Sequence, residues 1–169
     1  MASVSELVLD DIPRLGLFVL EAWRLAGPSA LGWTGATDEN IREIASENFL
    51  QRFIGNPNLK VFISKKGEEV VGFCAVRKID DRKVELAGII VRQDQQGHGI
   101  GTDLFEIARK EAVRSRFTTM IVKTESANDK ALHFYRSKGF AEEERTVEEI
   151  DGAKVNLTVL GLNLRRELK

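Results

Sequence analysis

Residues 96–101, Gln96-Gly97-His98-Gly99-Ile100-Gly101, place three glycines between an apolar strand and an amphipathic helix. A glycine-rich turn at such a junction lets backbone N–H groups approach an anion without side-chain obstruction, and the helix N-terminus adds its positive dipole end. A phosphate or pyrophosphate site is the functional reading; a tight turn with glycines for packing is the structural one. Two familiar phosphate loops fail on spacing. A P-loop needs Gly-x-x-x-x-Gly-Lys-Ser/Thr, and no lysine follows Gly101. A dinucleotide fingerprint needs Gly-x-Gly-x-x-Gly, whereas the glycines here fall at 97, 99 and 101. The spacing that fits is Gln/Arg-x-x-Gly-x-Gly/Ala, met by Gln96, Gly99 and Gly101. Little else in the chain invites chemistry by type alone. The one cysteine, Cys74, lies in the apolar run "VVGFCAV" and reads as a buried small hydrophobe. Two histidines, His98 and His133, with that cysteine make no zinc set.

The elements that position the loop follow from periodicity. A first strand reads in "ELVLD", and Asp11 and Pro13 open a helix with the stripe Ile12, Leu15, Val19, Ala22 and Ala26. Gly27 to Gly35 is a loop carrying Trp33. Thr37 or Asp38 caps a second helix with Ile41, Ile44, Ala45, Phe49 and Phe53 inward, stopped by "GNP". Three strands follow, "KVFIS", "VVGFCAV" and "VELAGIIV", joined by the hairpin turns "KKGEE" and "IDDRK". The helix after the glycine loop buries Ile100, Leu104, Ile107, Ala108 and Ala112. "TTMIVKT" is a strand, "NDKALHFYRSKGF" a short helix ended by Gly139, and the remainder two strands turning at Asp151-Gly152. The prediction is an α/β (α+β) domain over residues 1–169, with a mixed, mostly antiparallel seven-stranded sheet flanked by about four helices.

Composition agrees. The chain has 169 residues, 43% hydrophobic and 30% charged, enough for a core without staples. A formal charge of −1 excludes an ordinary duplex-binding protein, and no run approaches a membrane span of about 18 apolar residues. No basic, apolar-cored leader precedes "ELVLDD", so the expected setting is cytoplasmic. The charge is uneven: residues 92–140 hold nine basic and six acidic side chains, while residues 1–58 hold four and eight.

The stretch "GIIVRQDQQGHGIGTDLFEIA" resembles the acetyl-CoA-binding motif of the GNAT-type N-acetyltransferases. "NDKALHFYRSKGF" is similar to the same family's Asn-x-x-Ala-x-x-x-Tyr-x-x-x-Gly-Phe segment, supplying Asn128, Ala131, Tyr135, Gly139 and Phe140. Two such motifs about 30 residues apart, in the right order and on the expected elements, are more specific than either alone. The resemblance implies that the main chain of Ile89, Ile90 and Val91 pairs with the pantetheine arm of CoA. It implies that Gln96, Gly97, His98, Gly99, Ile100, Gly101 and Thr102 hold the pyrophosphate, His98 through its backbone, and that Asn128 contacts the cofactor's amide region. Asn128 also suits a helix N-cap.

Acetyl transfer to an amine needs a neutral amine, a stabilised oxyanion and a proton for the departing thiolate. Tyr135, the chain's one tyrosine, matches the family position that supplies that proton, and backbone N–H groups near Ile89–Val91 polarise the thioester carbonyl. Glu85 is the candidate base, acting through water. In a regular strand Glu85, Ala87, Ile89 and Val91 share one face. The alternative for Glu85 is a strand-end carboxylate in solvent or paired with Lys83 or Arg77. The activity implied is acetyl-CoA-dependent N-acetyltransfer to a primary amine of a small molecule or protein. The other reading is a catalytically inactive acyl-CoA-binding regulatory domain on the same scaffold. No metal, nucleic acid or membrane partner is implied, and the resemblance admits a homodimer. Trp23 reads as core or lid packing, Trp33 as packing or substrate contact, and "EEERTVEE" as solvated surface or a site for a cationic acceptor.

Overall fold

The computed structural model describes residues 1–26, 37–150 and 152–168. Seven strands form one sheet: β1 (Ser3–Glu6), β2 (Leu59–Lys66), β3 (Glu69–Lys78), β4 (Lys83–Val91), β5 (Thr119–Glu125), β6 (Ala141–Ile150) and β7 (Ala153–Asn163). Their order across the sheet is β1-β2-β3-β4-β5-β7-β6. Every neighbouring pair is antiparallel except β4 and β5. A parallel pair needs a crossover, and the helix after the glycine loop supplies it.

Five α-helices lie among the described residues: α1 (Ile12–Ala26), α2 (Asp38–Ile44), α3 (Glu47–Leu50), α4 (Ile100–Arg114) and α5 (Asp129–Ser137). One apolar face of the sheet packs under α4 and α5, where Leu104, Phe105, Ala108 and Ala112 meet Phe62, Cys74, Leu86 and Met120. The other face packs under α1, where Ile12, Leu15, Phe18 and Val19 meet Val61, Ile63, Val70 and Ala75. Ile107 is only half-buried beside the stripe expected of it, while Phe105 is fully enclosed.

Two expectations at the N-terminal end change. The strand expected at "ELVLD" ends at Glu6. Asp11 accepts a hydrogen bond from the Val8 N–H (3.1 Å) and pairs with Lys65 (2.9 Å), which winds Leu9–Asp11 into a 3-10 turn instead. The second helix is expected unbroken and divides at Ala45 and Ser46. Ser46 caps a new helix by accepting from the Phe49 N–H (3.3 Å) while its hydroxyl donates to the Glu43 carbonyl (2.6 Å). The Gly27–Gly35 loop with Trp33, and Asp151 of the last turn, lie outside the described residues.

The third change sits on the strand that matters most. Across β3 and β4, Val76 faces Leu86 and Cys74 faces Ile89, so the single Ala75 opposes both Ala87 and Gly88. This two-for-one bulge flips the side-chain parity of β4. Val84 and Leu86 point into the core under α4, and so do Ile89 and Val91 beyond the bulge. Glu85 therefore points to the opposite side from Ile89 and Val91, correcting the shared face expected of a regular strand. Gly88 has φ +142°, a backbone state that side chains rarely tolerate. We expect Gly88→Ala to lower stability by about 1–3 kcal/mol, read from the midpoint of urea denaturation.

Candidate active site

The site begins where β4 and β5 part. They pair only from Lys83 to Glu85 against Thr119 to Ile121, after which β5 continues alongside β7 to Glu125. Past the bulge, β4 keeps β3 as its partner through Val91. Its edge toward β5 is left with backbone donors and acceptors that no strand takes, a place where an extended amide-bearing ligand can pair. The Val91 carbonyl on this stretch accepts from Gln96 Nε2 (3.1 Å).

The chain then turns through Gln93–Gln95 into the glycine loop. Gly97 (φ +81°) and Gly99 (φ +83°) both take left-handed backbone states, and a Cβ added at either would meet nothing within 4 Å. Glycine is needed there for conformation, not for want of room. Gly99 is the N-cap of the 15-residue α4. No backbone carbonyl among the described residues takes the N–H groups of residues 97–102. Unpaired amides at the positive end of a long helix suit an anion. The His98 side chain only braces the loop, with Nδ1 3.1 Å from the Gln95 carbonyl. Asp94 is held by Arg92 (2.7 Å), which keeps its carboxyl below the usual range.

Helix α5 closes the cradle from the side. Asn128 caps it, its side-chain oxygen accepting from the Ala131 N–H (3.1 Å), so the helix-cap role expected of Asn128 is realised. Phe134 lies 3.5 Å from where a Cβ on Gly101 would sit. Tyr135 is 6% exposed, its ring edge-on to Phe134 and Phe140 with centroids 5.4 and 5.6 Å away. Its hydroxyl lies by the Ile89 backbone amide and the Cys74 thiol. Burial and the nearby Cys74 push the phenol up to about 12, with the Ile89 N–H pulling the other way. Burial likewise pushes the Cys74 thiol up to about 12, the thiol lying 3.6 Å from the Leu104 carbonyl.

Glu85 does not join this group. It is 8% exposed on the α1 side of β4, and Arg77 donates to its Oε1 at 2.8 Å. The fold thus sets Tyr135 beside Ile89 and Phe134 beside Gly101, with Glu85 behind the strand. Trp23 is half-buried against the core under α1, its indole N–H donating to Asp38 (2.6 Å). His133 is exposed. The glutamates of β6 are mostly solvated, with Glu142 held by Arg136 and Arg145 and Glu148 by Lys123. Glu143 folds its side chain over Gly161, a contact nothing in the sequence signalled. The reading of residues by type also passed over Lys130 and Lys138, whose ammonium groups meet the loop at Gln96 (2.5 Å) and Thr102 (2.8 Å).

The sheet opens between β4 and β5, the parted end of β4 runs on into the glycine turn, and Tyr135 is buried beside it. The chain belongs to the Acetyltransferase (GNAT) family, whose model matches residues 20–140. A mycothiol acetyltransferase from Corynebacterium efficiens is 31% identical over 81 residues, covering 48% of this chain; the match spans about a quarter (27%) of that relative's length. Among solved structures, the PaiA N-acetyltransferase of Thermoplasma acidophilum in complex with coenzyme A superposes with TM-score 0.72 at 19% identity, over 96% of this chain and 99% of that one. YncA of Salmonella typhimurium, a putative acetyltransferase solved with acetyl-CoA, gives 0.69 at 20% identity over 96% and 94%. A spermidine N-acetyltransferase chimera from Vibrio cholerae and hSSAT gives 0.77 at 19% over 99% and 98%. Acetyl-CoA is the acyl donor of this family. No helix among the described residues is long and apolar enough to cross a membrane.

The buried Cys74 has a practical consequence. A thiol reagent acts on the thiolate, and Cys74 is both inaccessible and held protonated at ordinary pH. We expect its reaction with Ellman's reagent at pH 8 to be at least 100-fold slower in native than in urea-unfolded protein, so released CoA can be counted without correction.

Proposed function

We propose that residues 1–169 form one N-acetyltransferase domain that passes the acetyl group of acetyl-CoA directly to a primary amine within a ternary complex. The observation that carries the reading is the Tyr135 hydroxyl, buried beside the Ile89 amide where β4 leaves β5. The lone cysteine, free and buried, suits a reducing compartment such as the cytoplasm.

Acetyl-CoA supplies an activated thioester; the chain's residues do the rest. The amides of residues 97–102 hold the diphosphate, and the main chain of Ile89, Ile90 and Val91 aligns the pantetheine arm as an added strand. A backbone N–H of this stretch donates to the carbonyl oxygen as it gathers charge. Tyr135 carries the proton that the departing sulfur needs. Burial raises that phenol to about 12, so it holds its proton until the sulfur departs. Glu85 lies on the other side of β4, so its part as base runs through water, with Arg77 fixing its carboxylate. The acceptor's identity stays open among small-molecule and protein amines.

The test is release of free thiol from acetyl-CoA across an amine panel. Turnover that depends on an amine supports the enzyme; tight CoA binding with no turnover on any amine would make the chain a binding domain. We expect Tyr135→Phe to lower kcat by about 10- to 1,000-fold while CoA affinity changes less than threefold. An unchanged kcat would remove Tyr135 as the acid. Turnover should rise with pH as the amine loses its proton and not turn down near pH 10, because Tyr135 stays protonated to about 12. Gly99→Glu, which puts bulk and negative charge in the cradle, is expected to abolish CoA binding by calorimetry.

A further inference from the structure

Helix α5 and its C-cap residue, Lys138, meet the glycine loop at three points about one turn apart. Lys130 donates to Gln96 Oε1 (2.5 Å), Phe134 packs over Gly101, and Lys138 donates to Thr102 Oγ1 (2.8 Å). Positions i, i+4 and i+8 share one face of a helix, so the loop is gripped by a single stripe. Lys138 also lies over the Phe134 ring, 5.2 Å from its centroid, which orients its ammonium along that stripe.

Both ammonium groups spend their hydrogen bonds on neutral oxygens. Neither forms an ion pair among the described residues, whereas Arg92 pairs with Glu69 and Asp94, and Arg136 with Glu142. Neither Asp129, beside Lys130 in the chain, nor Asp103, beside Thr102, is among their salt-bridge partners, and Asp94 is held by Arg92. Two uncompensated positive charges therefore flank amides 97–102 at their two ends. A carbonyl or hydroxyl oxygen is a weak partner for an ammonium, and a phosphate oxygen a strong one.

We propose that Lys130 and Lys138 bind the diphosphate of CoA, exchanging Gln96 and Thr102 for phosphate oxygens when the cofactor enters. This rests on the acetyl-CoA reading above and adds two side chains to a cradle otherwise made of main chain. The stripe places charge recognition on the helix that carries Tyr135, one residue beyond Phe134, so the group that reads the anion and the group that moves the proton are parts of one rigid element.

The test is equilibrium binding of three probes without turnover: CoA, dephospho-CoA, which keeps the diphosphate, and pantetheine, which has no phosphate. Lys130→Met and Lys138→Met keep most of each aliphatic stem and remove the charge. Each is expected to weaken CoA and dephospho-CoA by the same factor, about tenfold, and to leave pantetheine unchanged. The salt dependence of CoA binding should flatten in both variants, Lys138→Arg should retain affinity, and Lys154→Met on β7 should bind as wild type. Unchanged CoA affinity, or an equal loss for pantetheine, would overturn the proposal, the latter by showing that the lysines only hold the loop. A loss confined to CoA would overturn the diphosphate assignment in favour of the 3′-phosphate. Wild-type protein that binds neither nucleotide would instead overturn the acetyl-CoA reading itself.

Discussion

Strand β4 hydrogen-bonds to β5 over only three residues, and that short parallel contact governs the geometry of the cleft. Had the two strands stayed paired to Val91, every main-chain group from Leu86 onward would be satisfied within the sheet, and no edge would face a ligand. The bulge at Ala87 and Gly88 accompanies the parting. An extra residue bends a strand and increases its local twist, and it does so on β4 just beyond the last β4–β5 pair. The sheet is held on either side of this opening by two separate cores. The layer under α1 stiffens β2 and β3, and the layer under α4 and α5 ties β4 to β5 and β7. The opening thus has rigid walls, as a site that must align a long flexible ligand requires.

Burial then sets the chemistry of what the opening contains. Tyr135 and Cys74 are two acids of different ordinary strength, and enclosure by the same apolar layer brings both to about 12. An enclosed site does not sort acids by their values in water; it sorts them by the cost of forming an anion there. That cost favours keeping the proton on whichever sulfur or oxygen lies in the cleft.

Much of this was legible in the chain, and the failures have physical causes. The glycine turn was legible because three glycines between an apolar run and an amphipathic one mark a strand-to-helix junction, and Gly97 and Gly99 take left-handed states there. Asn128 declared itself as a cap because a short amide before a helix has few better uses. The parity of β4 did not, because a strand buried on both faces carries apolar residues at almost every position and has no alternation to read. The available clue was Gly88, since an isolated glycine inside a strand often marks a bulge. Glu85 was placed with Ile89 for that reason, and its pairing with Arg77 was one of two alternatives that only the register could separate. The break at Ala45 and Ser46 was hidden by an apolar stripe that continues through both short helices. Lys130 and Lys138 escaped notice because a motif search looks at the residues a motif names, whereas their common face with Phe134 belongs to the helix.

Six adjacent amides, from residue 97 to residue 102, have no backbone acceptor among the described residues. Donors left in this way favour whatever anion can reach them, so the folded state and its ligand are thermodynamically linked. A ligand that binds only the folded chain adds RT ln(1 + [L]/Kd) to stability, about 2.7 kcal/mol when it is present at a hundred times its dissociation constant. Acetyl-CoA, the family's acyl donor, is a ligand of this kind, and its binding would raise the resistance of the fold to unfolding.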